Sequence, residues 1–140
     1  VQINLKSIEN VKNIKFETII IEDSLEKFKN HKETLEKILE NTQYLIINTD
    51  KNQEEENQKH NTMIITYGLN QKANVTISSI TETDILTYLQ KAFKNKEGEK
   101  IEIEERRIKR KLEKGRLTTY EILIIYTILK LYQKSIIEEI

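Results

Sequence analysis

The sequence predicts an α/β fold: a short, mainly parallel sheet around a βαβ unit, an adjoining antiparallel hairpin region, and two main helices at about 24–41 and 118–134. Three observations lead there. Isoleucine occurs 24 times and alanine twice, so the core is built from β-branched side chains that suit strands. Apolar runs of strand length are separated by polar turns, and two helix-start signatures, Asp23 with Glu26 and Thr118 with Glu121, punctuate them.

Phe16 to Ile21 is a short apolar run that fits a strand buried on both faces. Asp23 then offers an N-cap oxygen and Glu26 stands three residues on, which starts a helix near Ser24. Leu25, Phe28, Leu35, Ile38 and Leu39 form its apolar stripe, broken at Lys32, and a turn at Asn41 and Thr42 ends it. Tyr44 to Asn48 and Met63 to Tyr67 read as the second and third strands, with Lys51 to Asn61 a polar surface loop. Strand, helix and strand in that order make a βαβ unit and a sheet that begins parallel.

Beyond Gly68 no helix is long enough to cross over between strands. Asn74 to Ile80, Ile85 to Phe93 and Lys100 to Arg107 are therefore expected to pair antiparallel. Asn95 to Glu99 is a five-residue hairpin turn in which Gly98 is available for positive φ. Thr118 and Glu121 form a capping box that opens a helix, apolar on most sides from Tyr120 to Tyr132, with a tail toward Ile140. That segment carries Glu121 and Lys130 and is shorter than the ~20 apolar residues of a membrane span, which predicts a buried helix and no membrane partner.

At 140 residues the chain is expected to form a single domain, 1–140, without linker or repeat. Its 23 basic and 23 acidic residues balance, so no global field steers a polyanion or a membrane surface. With no cysteine, disulfides and thiol chemistry are excluded, and a cytoplasmic location is the expectation. The chain opens on Val1 rather than methionine, compatible with a piece of a longer protein.

Several short motifs recur in a familiar order. Thr18, Ile20, Asp23 and Leu25 keep the frame of a Thr-Asn-Ile strand end followed by Asp-His-Leu at a helix start, with Ile19 replacing the asparagine and Ser24 the histidine. Ile46, Ile47, Asn48, Thr49 and Asp50 match a strand that ends in asparagine and aspartate. Thr66, Tyr67 and Gly68, with Ala73 beyond, match a strand that ends in Tyr-Gly. Gly115, Arg116, Leu117, Thr118, Thr119 and Tyr120 stand where a glycine precedes His-Asn-x-x-Asn, with the histidine and first asparagine replaced by threonines and the later asparagine by Ile122. In this order and spacing the chain resembles the central ATP-binding domain of the Mur ligases and the related folylpolyglutamate synthetases.

The resemblance implies a ligase scaffold whose family-matching positions are Thr18, Asp23, Asn48, Asp50, Tyr67, Gly68 and Gly115. It also implies that Ser24 stands where the family's histidine helps place magnesium, and Thr119 where an asparagine meets the nucleotide. A phosphate-binding GxxxxGK(S/T) loop is not among the residues, whose glycines are Gly68, Gly98 and Gly115. The helix lysine that the family carbamylates has no single counterpart among Lys29, Lys32 and Lys37. The expectation is a noncatalytic, pseudoenzyme-like module of a bacterial cytoplasm, acting as an accessory or protein-binding domain, with no catalytic residue, cofactor or metal. The alternative is a residual ATP-dependent ligase or nucleotide-binding fragment, completed by further residues or a partner, and only there would ATP and magnesium enter.

The remaining candidates are weighed on residue type. His31 and His60 lie apart, without a metal-binding spacing, and are expected in solvent. Glu22 and Asp23 are an acidic pair explained by capping, and Glu54, Glu55 and Glu56 a solvated run. Ser78, Ser79, Thr81 and Thr83 are nucleophiles by type only, and Tyr120, Tyr126 and Tyr132 are expected to pack. Glu104 to Arg116 holds seven basic and three acidic residues, a local charge of +4, with a basic patch at Arg106, Arg107, Lys109, Arg110 and Lys111. This second alternative is a weak nucleic-acid binder through 106–116, which lacks interleaved aromatic residues to stack bases. An exposed sheet edge beside the hairpin offers a route to a homodimer.

Overall fold

The structure is a computed structural model that describes residues 5–52, 61–109 and 117–133. Its elements are a 3₁₀ helix (Leu5–Val11), β1 (Thr18–Ile21), a second 3₁₀ helix (Leu25–His31), α1 (Lys32–Glu40), β2 (Tyr44–Asn48), β3 (Met63–Tyr67), β4 (Val75–Ile80), β5 (Asp84–Leu89), β6 (Phe93–Lys94), β7 (Lys100–Ile101), β8 (Glu104–Lys109) and α2 (Thr119–Leu131). A six-stranded, mostly parallel sheet runs in the order β1-β2-β3-β4-β5-β8, and β6 and β7 form a separate antiparallel pair. The mixed α/β architecture expected from the isoleucine-rich strands is present. Backbone contacts group the chain into two compact units, residues 1–65 and 66–140.

In the first unit β1 and β2 run parallel, with Thr18 opposite Tyr44 and Ile21 opposite Ile47, and the helical segment connects them as a βαβ unit. Ile21, Leu45 and Ile47 form a buried cluster covered by Ile19, Leu25, Leu39 and Ile64. β1 departs from the sequence reading. It is an edge strand with Thr18, Ile19 and Ile20 only half-buried, whereas β2 is buried from Leu45 to Asn48. An apolar run alone does not distinguish an edge from a centre, because both bury at least one face.

The predicted first helix is present as two pieces. The capping hydroxyl is that of Ser24, one residue later than expected, and it accepts from the Glu26 amide at 3.3 Å. The 3₁₀ helix it starts gives way to α1 at Lys32, the position that breaks the apolar stripe. A 3₁₀ helix eclipses residues three apart and so narrows the face it can bury. Only Ile38 of α1 is fully buried, and no residue of the 3₁₀ piece is. The helix ends as expected: Thr42 Oγ1 donates to the Ile38 carbonyl at 2.9 Å, and the Asn41 amide to the same oxygen at 3.3 Å.

In the second unit β4 pairs antiparallel with β5, and β5 with β8. The Thr81–Asp84 turn closes through the Thr81 amide on the Asp84 carbonyl at 2.8 Å and the Asp84 amide on Thr81 Oγ1 at 2.9 Å. β4 also meets β3, and these two run parallel, with Tyr67 opposite Val75. Asn74 clasps the two ends of the loop 68–74. Its Oδ1 accepts from both the amide and the hydroxyl of Thr66, and its amide donates to Thr66 Oγ1, each at 2.9 Å.

The hairpin turn at 95–99 forms with Gly98 at φ 80, but its strands are not continuous with the long ones. Asp84–Leu89 pairs with Glu104–Lys109, and the tip Phe93–Lys94 with Lys100–Ile101. The break falls at Gln90, whose Nε2 donates to the carbonyls of Asn70 at 2.9 Å and Ala73 at 2.7 Å. α2 begins at the predicted capping box, Thr118 Oγ1 accepting from the Glu121 amide at 3.2 Å and Glu121 Oε2 from the Thr118 amide at 2.9 Å. It packs on β4 and ends at Tyr132. The expected tail to Ile140 lies outside the described residues, as does most of the polar loop after Lys51. The 3₁₀ helix Leu5–Val11, with Ile8 buried, is an element the sequence reading does not contain.

Candidate functional site

Parallel strands present their carboxyl ends together, and in open α/β sheets ligands bind in that crevice. In the first unit β1 and β2 end at Ile21 and Asn48, and the family-matching residues Asp23, Asn48 and Asp50 follow from them. One side chain ties these ends together. Asn52 Oδ1 accepts from the Leu25 amide at 2.7 Å, while its Nδ2 reaches the Asp23 carbonyl at 2.9 Å and the Asn48 carbonyl at 3.1 Å. The Asn52 amide also donates to the Asn48 carbonyl at 3.1 Å. Sequence reasoning missed Asn52. Its only signal was an asparagine closing the Thr-Asp-Lys-Asn turn after a buried strand.

Most polar groups here have a structural task. Asp23 Oδ1 accepts from the Ser24 amide at 2.8 Å and Oδ2 pairs with Lys27 Nζ at 2.5 Å. The Lys27 bond, followed by that from the Ser24 amide, holds the Asp23 carboxyl below the usual range. Asn48 is 1% exposed, and its Oδ1 accepts from the Asp50 amide at 2.9 Å, which locks the turn. Asn48 Nδ2 is a buried donor with no hydrogen-bond partner among the described residues. Thr18, also family-matching, opens β1 opposite Tyr44 and is half-buried. The corner is thus rich in amides and turn contacts; among the described residues no group of three or more His, Cys, Asp or Glu is placed to hold a metal ion.

In the second unit the family-matching Tyr67 is fully buried, and its ring meets that of Tyr120 edge-on at 6.2 Å between centroids. The Gly68 amide donates to the Val75 carbonyl at 3.1 Å, so this pair helps fix the β3–β4 junction. Gly115 lies outside the described residues, with Arg110 and Lys111 of the basic stretch. Arg106, Arg107 and Lys109 are exposed on β8. Consecutive strand residues face opposite ways, so Arg106 and Arg107 do not share a face. Lys109 stands opposite Asp84 and Glu105 opposite Tyr88.

Other candidates take structural places. His31 is not simply solvated, because its Nδ1 lies 2.9 Å from Glu9 Oε1, which Thr34 Oγ1 also reaches at 2.7 Å; His60 lies outside the described residues. The His31 bond, then that from Thr34, lowers the Glu9 carboxyl. Ser78 Oγ donates to the Leu86 carbonyl at 3.2 Å beside the bulge in β4, and Thr83 Oγ1 to Asp84 at 2.9 Å.

A further cluster was invisible at the sequence level. Lys130, on the apolar helix α2, forms an ion pair with Glu104 of β8, and Tyr126 Oη donates to the same Glu104 oxygen at 2.7 Å. Burial pushes the Glu104 carboxyl up, but the bonds from Lys130 and Tyr126 outweigh it and the net shift is downward. Burial, then the bond to Glu104, pushes the Tyr126 phenol far above its ordinary value. This cluster joins helix to strand. Comparison of the chain with protein-family models, with curated proteins and with solved structures finds no match.

Proposed function

We propose that this chain is a noncatalytic α/β module, Mur-ligase-like in layout, that serves as an accessory domain through protein contacts. The observation that carries the reading is the use made of the family-matching corner. Ser24, at the magnesium-histidine position, is an N-cap, and Asp23 is occupied by Lys27 and the Ser24 amide. Thr118, beside the nucleotide-asparagine position, is committed to the capping box of α2. Groups that hold their own backbone are not poised to bind a ligand without giving up those bonds. The outer side of β8, which pairs with no further strand among the described residues, supplies a surface for a protein partner or a second copy.

Isothermal titration with Mg-ATP tests the noncatalytic reading. No saturable heat is expected, and saturable micromolar binding would overturn it. A second reading, a residual nucleotide-binding fragment, is favoured by one observation: the unpartnered Asn48 Nδ2 at the carboxyl end of β2. It predicts that Asn48→Ala weakens any such binding, whereas Asn48→Ala without effect on an observed ATP isotherm would remove it.

A further inference from the structure

β8 is the last strand of the sheet, paired on one side with β5 from Asp84 opposite Lys109 to Leu89 opposite Glu104. Thr87 Oγ1 of β5 donates to the Arg106 carbonyl at 2.9 Å, so that carbonyl is turned toward β5. In an antiparallel ladder the NH and CO of one residue point to the same side and alternate along the strand. Glu105, Arg107 and Lys109 therefore turn their backbone groups outward. No backbone partner meets them there among the described residues. Such an edge accepts another strand, and the side chains decide which one.

The charges along this strand are polarised. Glu104 and Glu105 come first, then Arg106, Arg107 and Lys109. A parallel copy would set like charges opposite one another, whereas an antiparallel copy sets the acidic half against the basic half. We infer that two copies of this chain pair through β8, antiparallel, in the register centred on Arg106.

The register follows from symmetry. A twofold axis perpendicular to the sheet leaves each face on its own side, so residues opposite each other must share a face and the pairing must centre on a residue. Centred on Arg106, Glu105 of each copy stands opposite Arg107 of the other, twice, at the outward-turned positions that exchange backbone hydrogen bonds. The two central Arg106 side chains are exposed to solvent, which screens them from each other. Centring on Glu105 would set two carboxylates opposite and draw the new pairs from Glu104, already engaged by Lys130 and Tyr126. Centring on Arg107 would set two guanidiniums opposite with no in-register acidic neighbour on that face except Glu105, then drawn to Lys109. The charged edge thus repels an uncharged strand, which would have to desolvate it unpaired, and fits its own copy.

This deepens the protein-contact reading and is independent of the nucleotide question, which Mg-ATP titration answers separately. Sedimentation equilibrium of the full chain is expected to show a monomer–dimer equilibrium. Glu105→Arg alone and Arg107→Glu alone each turn both cross-copy pairs repulsive and are expected to weaken the dimer by about tenfold or more. An equimolar mixture of the two single variants restores complementary pairs, as does the double variant, so both should regain the wild-type association. Far-UV circular dichroism of each variant checks that these exposed substitutions leave the fold unchanged. A wild-type chain that stays monomeric to roughly 500 μM, well above a micromolar dissociation constant, overturns the inference. So does a dimer that either single variant leaves intact, or a mixture that associates no better than its components.

Discussion

The ammonium of Lys130 is buried against the carboxylate of Glu104, with side-chain exposures of 9% and 38%, so one partner of the pair depends on the other far more than the reverse. A half-exposed carboxylate deprived of its cation is rehydrated by solvent. A buried ammonium deprived of its carboxylate is not. Glu104→Ala is expected to destabilise the chain by about 2 kcal/mol, less than a fully buried pair because solvent already screens Glu104. Lys130→Met keeps the apolar stem and is expected to cost under about 1 kcal/mol. Urea unfolding of both variants checks the order, and a larger loss for Lys130→Met would refute the asymmetry.

The same cluster sets an acid limit. The folded Glu104 carboxyl sits below the ordinary value of 4.5, so its contribution is present above that pH and is lost as pH falls through the folded value. Glu104→Gln lacks this titration. The stability gap between wild type and Glu104→Gln, read from urea midpoints, is expected to narrow as pH falls from about 7 to about 3. A gap that is constant with pH would show that the carboxylate charge is not what the cluster uses.

Asn52 closes the corner at the ends of β1 and β2 through bonds to Asp23, Leu25 and Asn48. Asn52→Ala removes all of these and leaves the Leu25 amide without its acceptor, at an expected cost of about 1–3 kcal/mol. Asn52→Asp keeps the acceptor and loses the donor, so it should fall between. Hydrogen exchange at Leu25 is expected to quicken in Asn52→Ala, and unchanged protection there would mean the bond does not hold the turn.

Thr118 caps α2 through its hydroxyl, so Thr118→Ala is expected to cost about 1 kcal/mol and Thr118→Ser much less. Thermal melts resolve the difference. Equal losses for the two substitutions would assign the effect to the methyl group instead of the cap.

Gly98 has φ 80 and open space where a Cβ would stand, so Gly98→Ala pays only for backbone conformation, about 1 kcal/mol. Gly98→Asn, which tolerates the left-handed region better, is expected to cost less than Gly98→Ala. The reverse order in urea unfolding would place the cost elsewhere.

Local chemistry was legible wherever a few adjacent residues suffice. The Thr118 capping box, the Gly98 turn and the strands at Tyr44, Met63 and Val75 all depend on neighbours in sequence, and each stands within a residue or two of its expected place. The first helix shows the limit of the same reasoning. Asp23 and Ser24 are both good caps, and Ser24 is the one that caps while the Asp23 carboxylate accepts from the Ser24 amide and pairs with Lys27. Of the candidate corner, Asp23, Asn48 and Asp50 were named from the sequence, but Asn52 was not, because its partners Asp23 and Leu25 are 29 and 27 residues away.

The sequence by itself determined the longer strands and the start of α2, though not the 3₁₀ helix Leu5–Val11, since periodicity, caps and turn residues act over a few bonds. Tertiary structure decided where they go. It placed β1 at an edge, set β4 parallel to β3, broke the long hairpin at Gln90, and buried Lys130 beside Glu104. Those outcomes turn on which polar groups find partners far along the chain, and the cost of leaving a buried donor or charge unpaired is what selects among them.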